Sequence, residues 1–140
     1  MEKRRENKEL LLKDLCARLP YGVKVLFENK VFSIDYISGI YEEIKLDNSD
    51  RYTLGISEVK PYLFPLSSMT KEQLFEVQEI LGKNEIEIGD GFLHIIDSDR
   101  NTITYLEILA LLEWFYKNHF DVYGLIPMGL AIDATNLKIY

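Results

Sequence analysis

The sequence predicts an α+β fold: one domain over residues 1–140, with an antiparallel sheet of about five to seven strands and three helices. Three observations lead there. Short alternating segments crowd into the first half of the chain. Two segments with helix-capping signals follow in the second half. Helices and strands are largely segregated instead of alternating as parallel βαβ units would. The length of 140 residues is typical of one domain, and 47% apolar with 28% charged residues is ordinary globular composition.

The elements follow in order. Glu6 to Leu19 reads as a helix, because Leu11, Leu12, Leu15, Cys16 and Leu19 recur on one face at 3.6 residues per turn. Lys8, Lys13 and Asp14 fall off that stripe, Pro20 ends it, and residues 1–6 are expected to be a flexible terminus. Val23–Phe27, Val31–Ile37 and Tyr41–Leu46 alternate as three strands of a meander, with turns at Glu28-Asn29-Lys30 and Ser38-Gly39. The alternation places Phe32, Ile34 and Tyr36 on one face of the second strand. Tyr52, Leu54 and Ile56 continue the pattern after a polar loop. Lys60 to Pro65 is apolar with proline near each end, which predicts an edge strand or an extended linker.

Thr70-Lys71-Glu72-Gln73 is a capping box that opens a helix bearing Leu74, Val77 and Leu81 and stopped by Gly82. Residues 84–91 read as a loop, with Ile86 and Ile88 compatible with a short strand, and Phe92–Ile96 as a strand buried on both faces. A second capping box, Thr104 with Glu107, opens a helix from Tyr105 to Asn118. Its broad apolar surface marks it as the central packing element. Residues 130–134 and 137–140 read as a hairpin around Thr135-Asn136.

The chain resembles a group of small uncharacterised proteins of phages, prophages and mobile elements from gut anaerobic bacteria. The resemblance rests on Lys8-Glu9-Leu10-Leu11-Leu12-Lys13-Asp14-Leu15-Cys16-Ala17-Arg18-Leu19-Pro20-Tyr21-Gly22-Val23 and on Lys60-Pro61-Tyr62-Leu63-Phe64-Pro65-Leu66-Ser67-Ser68-Met69-Thr70. It rests also on His119-Phe120-Asp121, and on Gly124-Leu125-Ile126 with Gly129-Leu130-Ala131. The group commonly carries arginine where this chain has Phe64. The resemblance implies a genetic setting and no activity.

No residue pattern specifies a catalytic, cofactor or metal site. Asp97-Ser98-Asp99-Arg100-Asn101 starts like a calcium loop. The glycine and glutamate that such a loop requires are replaced by Thr102 and Ile108. Cys16 could be paired with His94 or His119 as nucleophile and base, but its leucine stripe predicts a buried, inert thiol. His119 after the long helix reads as a cationic helix cap. The single cysteine allows no internal disulfide and fits a reducing, cytoplasmic setting. No apolar run is suited to a signal peptide or a membrane span.

With 23 acids against 16 bases, net charge is −7, which disfavours nucleic-acid binding. Nine Tyr, seven Phe and one Trp concentrate partly in the β half, a composition suited to protein recognition. The leading expectation is a non-enzymatic accessory protein that binds an unidentified protein, with Tyr62 and Phe64 as the candidate surface. Self-association through the edge strand that carries them is the other route. The alternatives are an acidic DNA-mimic inhibitor of a host defence or nucleic-acid protein, and a small enzyme whose site gathers Asp97, Asp99, Asp121 and His94.

Overall fold

The computed structural model describes residues 2–49, 53–82, 85–89, 92–96 and 104–140, with 85–86, 88–89 and 92–96 described by backbone alone. The first helix, α1, runs Glu2–Arg18 and passes through a 3-10 turn at Leu19–Tyr21. Four strands follow as a meander: β1 (Lys24–Phe27), β2 (Lys30–Ser38), β3 (Glu43–Leu46) and β4 (Leu54–Gly55). Then come β5 (Lys60–Leu63), α2 (Lys71–Ile80), β6 (Glu85–Gly89), β7 (Phe92–Ile96), α3 (Tyr105–Lys117) and β8 (Ile132–Asp133). The α+β class holds, with three helices and a main sheet ordered β4-β3-β2-β1-β5-β8. No helix among the described residues is long and apolar enough to cross a membrane.

Local chemistry explains the meander. The β1–β2 turn has two central residues, Glu28 and Asn29, with φ of 47° and 62°. Two left-handed residues give the type I′ geometry that matches strand twist, and asparagine tolerates it well. Pairing of β2 with β3 then shifts between Ile34 and Tyr36, leaving Asp35 as a bulge. The extra residue reverses the inward phase. Phe32 and Ile34 pack on the core before it and Ile37 after it, while Tyr36 turns out to solvent. Simple alternation places Tyr36 on the same face as Phe32 and Ile34.

Four other expectations are corrected. The segment carrying Tyr62 and Phe64 is no edge: β5 lies between β1, to which it is antiparallel, and β8, to which it is parallel. Proline is tolerated there because the antiparallel ladder with β1 is short, with only Val25–Pro61 and Leu26–Lys60 in register. The expected hairpin at residues 130–140 does not form. Its first arm contributes β8 to β5, and residues 137–140 belong to no strand. The segment after Gly82, read as a loop with a short strand at Ile86 and Ile88 left open, takes the strand: β6 pairs with β7 as a separate antiparallel ribbon. The helix α3 is not central.

Apolar burial divides in two. The larger cluster lies between α1 and the sheet, with Leu11 and Leu15 against Val25, Phe27, Ile44, Leu46 and Leu63. The smaller joins α2 and α3 through Val77, Leu81, Leu111 and Phe115, with Leu66 and Phe120 from the connecting segments. The Thr70 cap forms as expected: Thr70 Oγ1 accepts from Gln73 N at 3.2 Å and Gln73 Oε1 accepts from Thr70 N at 2.9 Å. Leu111 and Phe115 face inward, whereas Leu109 is 40% exposed. Leucine-rich sequence on every side of α3 hid which face was covered.

Candidate functional site

Two regions hold the chemistry that could matter: a buried polar cluster at the end of α1, and an exposed apolar face on α3. Helical spacing builds the first. Asp14 and Arg18, four residues apart, lie on one face with Leu11 and Leu15, and both are fully buried at 0% exposure. Arg18 Nε donates to Asp14 Oδ2 at 2.7 Å and Nη2 donates to Oδ1 at 3.1 Å. The same Nη2 donates to the Phe120 carbonyl, tying α1 to the chain beyond α3. The guanidinium carbon stands 5.1 Å from the centre of the Tyr116 ring. Burial pushes the Asp14 carboxyl upward, and the Arg18 hydrogen bonds and charge pull it back. Burial also raises the Tyr116 hydroxyl, which is hydrogen-bonded to Tyr123.

Asp121 completes this region as a structural anchor. Its Oδ1 accepts from Leu125 N at 2.8 Å and its Oδ2 from Ile126 N at 2.9 Å. Both oxygens thus fix the turn that follows, so the carboxylate is committed to its own backbone. Asp97 and Asp99 lie outside the described residues, as does the His94 side chain. Among the described residues no group of three His, Cys, Asp or Glu side chains could hold a metal ion.

His119 differs from expectation. It adopts φ of 64° directly after α3, and its ring stacks on Tyr140 with centroids 3.6 Å apart and planes 8° apart. Burial, with Arg18 and Lys24 nearby, pushes its pKa down to about 4. It is a neutral stacked ring, not a cationic cap, because the helix end it follows is enclosed by the Arg18 cluster. Its buried Nδ1 has no partner among the described residues. Tyr140 in turn fills a gap in the sheet. Its hydroxyl accepts from Lys24 N at 2.9 Å and donates to Tyr62 O at 2.8 Å, at the end of the β1–β5 ladder. Burial pushes this hydroxyl up to about 12.

The remaining predicted positions are placed as follows. Cys16 is exposed, not buried, because the inward face of α1 is centred on Leu11, Asp14, Leu15 and Arg18. Tyr62 is 7% exposed, and Phe64 is half-buried with its ring 6.1 Å from Phe120 and 6.0 Å from Tyr140. These rings pack inside the structure because β5 is an interior strand.

Sequence reasoning missed the surface that is available. In α3, Tyr105 and Leu106 are each 74% exposed, Ile108 is 46% and Leu109 is 40%. The neighbouring helix α2, whose Glu76 Oε2 accepts from Trp114 Nε1 at 2.8 Å, exposes Phe75. Exposed Glu72, Glu76 and Glu79 on α2 and Glu113 on α3, against exposed Lys71 and Lys117, give the two helices a net acidic surface. This face gathers large apolar side chains that no other described element covers. Comparison with protein-family models, with curated proteins and with solved structures finds no match.

Proposed function

We propose that this chain is a non-catalytic accessory protein that works by binding another protein, in the cytoplasm and in the phage or mobile-element setting its resemblance implies. The observation that carries the reading is the exposed run Tyr105, Leu106, Ile108 and Leu109 on α3. Large apolar side chains gathered on one exposed surface are the usual mark of an interaction site. Aromatic and aliphatic anchors at the centre, with charge at the rim, are how protein interfaces are built. The rim here is acidic, so the partner is a protein whose apolar contact patch is bordered by Lys and Arg. Complementary charge of this kind speeds encounter and selects partners.

The test uses the full chain as bait in a lysate of the bacterial host, beside a Leu106→Asp/Leu109→Asp variant and a Met128→Asp control. Self-association of each is measured by sedimentation. The expected result is a basic protein retained by the wild type and the control, released by moderate salt and lost in the double variant. Retention that survives the double substitution would show that α3 is not the site. A homodimer that the double substitution dissolves would mean that a second copy covers the face, overturning the basic-partner reading.

A further inference from the structure

We propose that a second site, independent of the α3 face, binds a small organic anion with an apolar portion in the groove between α1 and β5. A cavity of about 310 Å³ is lined by Arg4, Asn7, Lys8, Leu11, Ser57, Val59, Lys60 and Leu130. That volume lies at the lower end of the range for small-molecule pockets.

Helical and strand geometry bring the charges together. Arg4, Lys8 and Leu11 recur at spacings of four and three, so they form one stripe along α1. That stripe faces the 3-10 turn Ile56–Glu58 and the start of β5, which supply Ser57, Val59 and Lys60. The base is apolar, since Leu11 and Val59 are core residues and Leu130 packs against them. The mouth carries only cationic and neutral hydrogen-bond donors: Arg4, Lys8, Lys60, Asn7 and Ser57. Among the described residues no carboxylate lines this cavity, in a chain of net charge −7, and Glu42 pairs with Lys8 at its edge.

The pairing of the cations sharpens the point. Lys8 Nζ is held by Glu42 Oε2 at 2.8 Å, and Arg5 on the flank is held by Glu9 at 3.3 Å. The Arg4 and Lys60 side chains have no ion-pair or hydrogen-bond partner among the described residues. Two uncompensated cations converge on one hollow from elements far apart in sequence. An anionic head would bridge Arg4 and Lys60, with Asn7 and Ser57 as further donors, while an aliphatic or aromatic body rests on Leu11, Val59 and Leu130. Phosphate monoesters and carboxylates share this chemistry.

Phenyl phosphate serves as the probe, with inorganic phosphate and phenol as its separated halves. Titration calorimetry and amide chemical shifts are read on the full chain, an Arg4→Gln/Lys60→Gln variant and a Lys30→Gln control. Circular dichroism checks the fold of each. Phenyl phosphate should bind with shifts confined to the groove, and removing the two cations should weaken it by about tenfold or more. The control should leave the affinity unchanged, and either half alone should bind more weakly. No binding up to about 10 mM, or equal affinity in the double variant, would overturn the proposal. Equal affinity for inorganic phosphate would also overturn it, because the apolar base would then contribute nothing.

Discussion

At the scale of single residues, the decisive fact is a buried ion pair. Arg18 and Asp14 share two hydrogen bonds and Arg18 Nη2 also holds the Phe120 carbonyl, while the buried Arg18 Nη1 has no partner among the described residues. Removing one charge strands the other in a medium that solvates it poorly. Arg18→Met should therefore cost about 3–5 kcal/mol, and the Asp14→Leu/Arg18→Met pair should recover much of that loss. Denaturant titration of the two variants checks both statements. His119 gives a pH dependence of definite sign. Its pKa falls from the usual 6.5 to about 4 on folding. Above 6.5 neither state is protonated at this ring; between 6.5 and about 4 the unfolded chain takes up a proton that the folded chain does not. Stability from this residue is thus complete above 6.5 and declines as the pH drops through that window. His119→Asn, chosen because asparagine tolerates positive φ, should flatten the fall of the melting temperature there. An unchanged slope would mean that the ring is protonated in the folded chain.

At the scale of elements, α3 is a two-sided helix. Leu111 is in the core and Leu109, two residues away, is open to solvent. Leu111→Ala should cost about 2–5 kcal/mol by loss of packing. Leu109→Ala should cost under about 0.5 kcal/mol, the usual effect of a surface change. Equal losses in thermal unfolding would show that both faces are covered. This contrast explains what was legible in the sequence. The meander, both capped helices and the α+β class were readable, since turns, caps and alternation are local signals. The facing of α1 was misread because periodicity scores Asp14 and Arg18 as solvent residues, and only their mutual pairing lets them point inward. The phase of β2 was misread beyond Asp35 because a bulge leaves no mark in an apolar pattern. The Tyr62–Phe64 segment was misplaced because its neighbour β8 lies some 70 positions later, beyond any local rule. The pocket of Arg4, Lys8 and Lys60 was invisible for the same reason.

At the scale of the whole molecule, Tyr140 joins parts that are distant along the chain. Its hydroxyl occupies the place where β1 and β5 would otherwise bond directly, and its ring covers His119 and touches Phe64. Tyr140→Phe keeps the ring and leaves the Lys24 N–H and the Tyr62 carbonyl without that partner. A loss of about 1–3 kcal/mol is expected, the cost of leaving buried polar groups unpaired. Hydrogen exchange should quicken at Lys24 before it does at Val25 or Leu26. No loss, with exchange unaltered, would mean that solvent replaces the hydroxyl freely.

The bridge between Phe64 and Phe120 has a consequence for how such a chain could be assembled or edited. Phe64 N donates to His119 O and Asp121 N donates to Phe64 O, each at 2.8 Å. The chain leaves the main sheet at Phe64, builds the α2–α3 cluster, and comes back to within hydrogen-bonding distance of its point of departure. The described residues between form an excursion with its own apolar centre, joined to the sheet at adjoining ends and to α1 where Arg18 meets Tyr116. Its length can change without shifting the register of the meander, as with an inserted module whose ends already touch. The exposed face of α3 rides on that excursion, while the Arg4–Lys60 groove belongs to the sheet and α1. On the proposed reading of the α3 face, replacing this one unit would exchange or abolish partner recognition and leave the groove standing.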